Sequence, residues 1–81
     1  MQRLKMFEAS NGLQVGDRVS FWWCEKMRVG TVVRNCFRAD AHEFMRITRF
    51  YWLTEVRFDE PSGALDSVSL FDKPDGFFTK L

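Results

Sequence analysis

Large apolar residues recur at every second position in two stretches of the chain, and this period of two most constrains the fold. In the first stretch, Val19, Phe21 and Trp23 alternate with Arg18, Ser20 and Trp22. In the second, the alternation runs from Phe50 to Phe58. Because side chains at alternate positions share one face of a β-strand, both stretches predict half-buried strands.

Turn-forming residues divide the chain into short segments. We predict strands over 15–24, 27–37, 50–59 and 65–71, and a last short strand or 3₁₀ turn at 77–78. Gly30, inside the second strand, indicates a bulge or a close backbone approach. Residues 39–49 fit either an extended insertion or a single helical turn, since residues 40–43 have the spacing of a capping box.

These segments predict a fold class. An 81-residue chain with four or five strands favours a small antiparallel barrel over a sandwich, which needs about 100 residues. Closure also removes exposed sheet edges. We expect an all-β, mostly antiparallel barrel of about five strands in residues 13–81, with an irregular or short helical insertion around 39–49. Residues 1–12 would form an N-terminal arm or a short edge strand.

The start of the predicted barrel has a recognisable pattern. Residues 15–21 read Val-Gly-Asp-Arg-Val-Ser-Phe and residues 29–33 read Val-Gly-Thr-Val-Val. This pattern resembles SH3-like barrels of the KOW and Tudor kind, in which a Gly-Asp turn starts the first strand and a Gly-x-Val marks the second. The resemblance covers about a third of the chain and implies an SH3-like barrel. It implies no single activity, because such barrels have many functions.

A weaker similarity is to the plasmid-borne type II dihydrofolate reductases, small SH3-like barrels that act as tetramers. Their first strand also follows a Gly-Asp-Arg-Val, here residues 16–19, and a late Val-Gln-Ile-Tyr lines a shared pore. Residues 68–71 of this chain read Val-Ser-Leu-Phe. Ser69 thus replaces the pore Gln and Phe71 lacks the Tyr hydroxyl, so we do not expect reductase activity.

Aromatic residues make up 16% of the chain, more than one small core requires. Neighbouring residues on a strand point to opposite faces, so the pairs Trp22-Trp23 and Tyr51-Trp52 cannot all face inward. With Trp23 and Trp52 inside, Trp22 and Tyr51 are outside. Exposed aromatics stack bases or surround a methylated ammonium group. The alternative is that residues 39–49 or a second subunit cover them.

Arginines are interleaved with aromatics in the middle of the chain, a pattern typical of single-strand nucleic-acid grooves. Residues 1–57 carry ten basic and six acidic side chains, a net charge of +4, whereas residues 58–81 carry two and five, a net charge of −3. Asp40, Glu43 and Glu55 could instead neutralise several arginines in surface ion pairs. The predicted contact residues are Trp22, Tyr51, Trp52, Arg34, Arg38, Arg49 and Arg57.

Signals for catalysis, metals and membranes are missing from the sequence. It contains no Gly-rich phosphate loop, paired catalytic carboxylates or metal motif, and two Cys and one His cannot complete a zinc site without carboxylates. We expect no catalytic residues, metal or cofactor. No apolar run has the length of a signal peptide or membrane span, so a cytoplasmic location, with Cys24 and Cys36 reduced, is expected.

The sequence therefore predicts a non-catalytic binding module whose exposed aromatic and Arg residues contact a protein or a nucleic acid. The alternative is a homo-oligomeric structural protein in which surplus aromatics form the subunit interface, with or without a small-molecule pocket.

Overall fold

Five antiparallel strands form one sheet in the part of the chain that the structure describes. The computed structural model describes residues 12–42 and 47–81, the side chains of 41–42 and 47–48 excepted. The strands are β1 (Arg18–Trp23), β2 (Lys26–His42), β3 (Ile47–Ser62), β4 (Leu65–Phe71) and β5 (Thr79–Lys80), in the spatial order β4-β3-β2-β1-β5. The predicted all-β, antiparallel fold is confirmed. Of the predicted N-terminal arm, residues 1–11 lie outside the described residues.

The central strands β2 and β3 are longer than the sequence predicts. They contain 17 and 16 residues and pair from Gly30 opposite Phe58 to His42 opposite Ile47. Residues 39–42 and 47–49 are strand, so the extended alternative is observed there and the helical turn is not; residues 43–46 lie outside the described part. Below, "the arm" means the portion of this pair beyond the end of β4, residues 37–42 and 47–52.

Cross-strand pairing explains why these residues are extended. Asp40 lies opposite Arg49, and Ala39 lies opposite Phe50. The Phe50 ring is parallel to that of Phe37, with centroids 5.8 Å apart. Opposite charges and aromatic pairs on adjacent strands stabilise a sheet, and here they outweigh the local capping-box pattern.

A change of register in β2 decides which side chains face the core. At Gly30 the close backbone approach is the alternative observed, because a Cβ there would overlap the carbonyl oxygen of Arg57. The bulge comes later, where the register against β3 shifts between Val32 and Arg34. One extra residue exchanges the two faces of the strand, so Arg34 points away from the core although Val32, two residues earlier, points into it.

The core lies on one face of the sheet near its centre. Phe21 is its largest fully buried side chain, with Phe58 6.2 Å and Phe78 5.3 Å away between ring centroids. The core cluster consists of Leu13, Val19, Phe21, Val32, Val56, Phe58 and Leu70, with Trp23, Val68, Phe77 and Phe78 packed against it. As predicted, Phe77 and Phe78 pack against the core, but they form neither a strand nor a 3₁₀ turn; the last strand begins just after them, at Thr79.

The sheet is not closed in the described residues. Its two edges are β4 and β5, and they do not pair with each other. β5 instead pairs with β1, where the backbone N–H of Leu81 donates to the carbonyl of Arg18 over 2.9 Å. The predicted closure into a barrel is therefore not seen in this part of the chain.

Candidate functional site

Most of the predicted contact residues lie on the face of the sheet opposite the core, which we call the outer face. The β2–β3 register places Arg34 opposite Glu55 and Arg38 opposite Tyr51. Because alternate residues share a face, Arg49 and Arg57 of β3 lie on the same side as Tyr51. The structure thus brings together five of the seven predicted residues: Arg34, Arg38, Arg49, Tyr51 and Arg57.

Tyr51 is held in place by contacts from three directions. Its hydroxyl donates a hydrogen bond of 2.9 Å to Asp40 Oδ2, its ring packs edge-on against Phe71 with centroids 5.4 Å apart, and the Arg49 guanidinium lies 5.9 Å from the ring centre. The hydrogen bond to Asp40, followed by partial desolvation, raises the pKa of the Tyr51 hydroxyl. The phenol is therefore neutral at physiological pH and presents an ordered aromatic surface.

The outer face of the β2–β3 pair carries an excess of positive charge. Between positions 34 and 57 its four arginines face two carboxylates, Asp40 and Glu55, which leaves a net charge of +2 over this stretch; just beyond it, Asp59 of β3 is paired with Arg18 of β1. Arg34 makes an ion pair with Glu55, with Nε and Oε1 3.8 Å apart. Among the described residues, Arg38, Arg49 and Arg57 make no ion pair. A guanidinium without a carboxylate partner presents its full set of donors to a ligand.

Trp52 does not belong to this group. It lies on the core-side face of the arm, where its ring centroid is 6.2 Å from that of Phe37. Its indole Nε1 is buried and has no hydrogen-bond acceptor among the described residues. Phe50, on the same side, is 58% exposed. The arm therefore has an aromatic side and an Arg–Tyr side.

Trp22 is exposed, as the alternation predicts, but it lies in β1 beside the start of β2, far from the arm at the end of β2. It is paired with Met27, and the two side chains are 59% and 56% exposed. The strand from Met27 to Arg38 spans roughly 35 Å at about 3.3 Å per residue. Trp22 and Tyr51 therefore cannot form one cage around a small cation.

Two further residues near these side chains are not among the predicted contact residues. Phe71 is 52% exposed and extends the ring surface of Tyr51. The period of two in β4, where Val68 and Leu70 face the core, already places Phe71 on the opposite face. Arg28 is the second: it belongs to the arginines that the sequence interleaves with aromatics, and it lies over the rings of Trp23 and Phe58 at 5.7 and 5.9 Å.

A cleft of about 330 Å³ lies at the opposite end of β2 from the arm. It runs between residues 26–29 of β2 and residues 59–61 of β3. Within the described residues, no group of three His, Cys, Asp or Glu side chains could hold a metal ion. Cys24 and Cys36 are both free. No helix with the length and apolar character of a membrane span occurs in residues 12–42 or 47–81.

Comparison with known proteins adds no relative to this picture: no family model, no curated protein and no solved structure matches the chain.

Proposed function

We propose that this protein is a non-catalytic binding module that contacts single-stranded nucleic acid through the outer face of its β2–β3 pair. The observation that carries the proposal is the register of these strands, which places Arg38 and Arg49 beside an ordered tyrosine, Tyr51, and Arg34 and Arg57 farther along the same face. The residues are dispersed over positions 34–57 in sequence, and they form a surface because the strands pair.

The local structure supports an SH3-like scaffold for this module. Gly16 has a φ of 97°, and its N–H donates to the carbonyl of Val32 over 2.8 Å just before β1 begins. The Gly-Asp turn therefore stands where the resemblance of residues 15–21 to SH3-like barrels expects it. Asp17 completes the turn by accepting a hydrogen bond of 2.9 Å from the N–H of Gln14.

Two features of the outer face favour a nucleic acid over a neutral partner. Arg38, Arg49 and Arg57 offer guanidinium groups for phosphate oxygens, with no carboxylate partner among the described residues. Tyr51 and the exposed Phe71 offer ring surfaces for bases, each worth about 1–3 kcal/mol when a base stacks. Single strands expose both phosphates and base faces, whereas a duplex hides the base faces.

The proposal is tested by fluorescence anisotropy with a labelled single-stranded 15-mer at low and moderate salt. Arg38→Ala/Arg49→Ala is expected to weaken binding at least tenfold. Its slope of log K against log salt should also be shallower by about 1.4, since each phosphate contact contributes about 0.7 for single strands. Tyr51→Ala should weaken binding more than Tyr51→Phe, which keeps the ring.

The matched control is Lys26→Ala/Lys73→Ala, which removes two positive charges that do not belong to the group of Arg34, Arg38, Arg49 and Arg57. It is expected to change affinity less than threefold, because screened charges at a distance contribute little. If the native protein does not bind at low salt, where phosphate contacts are strongest, the nucleic-acid proposal is wrong.

One observation favours the alternative, a homo-oligomeric structural protein with an aromatic interface. The exposed pair Trp22 and Met27 forms an apolar patch at the β1–β2 end, and such patches mark protein contacts. Sedimentation of Trp22→Ser tests this patch: a shift toward the monomer mass places the subunit interface there, and an unchanged oligomer places it elsewhere. The segment that resembles the reductase pore motif, residues 68–71, lies on the edge strand β4, and other residues line the cleft described above.

A further inference from the structure

The strand β4 has a row of backbone groups that point away from the sheet. The N–H of Asp72 donates to the carbonyl of Trp52 over 3.0 Å, which fixes which residues of β4 bond to β3. In an antiparallel ladder alternate residues bond to the same neighbour, so Val68 and Leu70 point their backbone groups toward β3. Those of Ser67, Ser69 and Phe71 consequently point to the open side, where no strand lies in the described residues.

This edge has few of the devices that usually protect an exposed strand. Between Leu65 and Phe71 there is one charged residue, Asp66, and neither Lys nor Pro. The pairing with β3 is regular from Leu53 opposite Phe71 to Arg57 opposite Ser67, so no bulge twists this part of the edge away. Edges of this kind add a further strand readily.

We propose that β4 pairs with β4 of a second copy of the chain, antiparallel and around a twofold axis at Ser69. In this register Ser69 lies opposite Ser69 of the second copy, and Ser67 lies opposite its Phe71. Each of the three outward residues then exchanges two backbone hydrogen bonds with the residue opposite it in the other copy. The arrangement is isologous and closes as a dimer, which distinguishes it from an open fibre.

Side chains also favour a second copy over an unrelated strand. Val68 of one copy comes opposite Leu70 of the other, so the two apolar rows that border each core become continuous. Two equivalent contacts oppose the pairing: Asp66 of each copy lies opposite Asp72 of the other, and like charges there repel.

Disulfide trapping tests the register directly, in a Cys24→Ser/Cys36→Ala background that removes the native thiols. Ser69→Cys should form a covalent dimer on mild oxidation, because hydrogen-bonded antiparallel pairs have Cα atoms about 5.5 Å apart, within disulfide range. The matched control Ser67→Cys should not, since the two copies of residue 67 are offset by about 13 Å along the strand. Ser67→Cys mixed with Phe71→Cys should give the heterodimer.

Sedimentation equilibrium tests the same interface without cysteines. The native protein should reach twice the chain mass, and Ser69→Pro should shift the dissociation constant at least tenfold toward monomer, whereas Ser69→Thr should not. The Pro substitution removes no hydrogen bond to β3, because the N–H of Ser69 points outward. Asp66→Asn should strengthen the dimer by relieving the repulsion with Asp72 of the second copy.

The outcomes separate this interface from others. A native protein that remains monomeric at millimolar concentration overturns the proposal, as does equal trapping of Ser67→Cys and Ser69→Cys. Dissociation by Trp22→Ser but not by Ser69→Pro places the interface at the Trp22 and Met27 patch and equally rejects β4. Nucleic-acid binding is measured separately, so its failure leaves this test unaffected.

Discussion

At Gly30 the absence of a side chain sets the distance between β2 and β3. A Cβ at this position would overlap the carbonyl oxygen of Arg57 and come within 2.7 Å of Val56 Cγ1. The carbonyl belongs to the backbone of the paired strand and cannot rotate away. The close approach just precedes the bulge at residue 33, so this glycine supports the register that turns Arg34 outward.

Gly30→Ala is therefore expected to destabilise the protein by about 2 kcal/mol or more, in the range of overpacked core substitutions. Urea unfolding followed by far-UV circular dichroism measures the change. Gly63→Ala is the matched control: Gly63 has a φ of 62° but no neighbouring atom within 4 Å of the added Cβ, so its cost is backbone strain of about 1 kcal/mol. A Gly30→Ala variant as stable as the native protein would contradict the steric interpretation.

Among the elements, the arm depends on its attachment to the rest of the sheet. A two-stranded pair is marginally stable alone, and beyond β4 the arm consists of β2 and β3 in the described residues. At its base Thr54 is 3% exposed and donates a 2.8 Å hydrogen bond to Asn35 Oδ1. Asn35 Nδ2 in turn donates to the carbonyl of Leu13 over 2.8 Å. This relay joins both arm strands to the segment before β1.

Thr54→Val should destabilise the protein by about 1–2 kcal/mol, because the variant keeps the volume but removes the hydroxyl donor from the half-buried Asn35 oxygen. Thermal unfolding is the measurement, and hydrogen exchange of Arg38 and Arg49 amides should accelerate as the arm opens more often. Thr79→Val, exposed on β5, should change stability by less than about 0.5 kcal/mol. Equal effects of the two substitutions would show that the relay does not stabilise the arm.

For the whole molecule, two carboxylates connect parts of the chain that are distant in sequence. Asp59 of β3 accepts two hydrogen bonds, of 2.6 and 2.5 Å, from the guanidinium of Arg18 in β1, and this pairing lowers the pKa of Asp59. The pKa of Asp17 is lowered by the backbone N–H of Gln14 and also by Lys80 of β5, 3.3 Å away. β1, β3 and β5 are thus linked by charge as well as by packing.

Acid should therefore weaken the fold in a defined window. A carboxylate whose pKa is lower in the folded state stabilises that state above its unfolded pKa of about 3.9, and the contribution is lost as the pH falls through the folded pKa. Urea midpoints measured between pH 6 and 2 should fall below about pH 4, and less steeply in Asp17→Asn/Asp59→Asn. Asp75→Asn, outside both contacts, should follow the native profile. A double variant as acid-sensitive as the native protein would contradict this assignment.

The sequence by itself determined the features that depend on neighbouring residues. The period of two assigned residues to strands and placed Trp22 outside with Trp23 against the core, because adjacent side chains on any strand point to opposite faces. The Gly-Asp turn before β1 and the return of residues 77–78 to the core were also predictable. Each follows from local geometry or from apolar side chains that need burial.

Pairing between distant segments decided the rest. Whether residues 39–49 were helix or strand depended on their partners across the sheet, since their local pattern suited both. The bulge at residue 33 moved Arg34 onto the same face as Tyr51 and away from the face that carries Trp52. The exposed edge of β4 likewise follows from the strand order. Only the tertiary structure could decide these points, because register is a relation between two strands and a shift of one residue reverses the face of every side chain that follows.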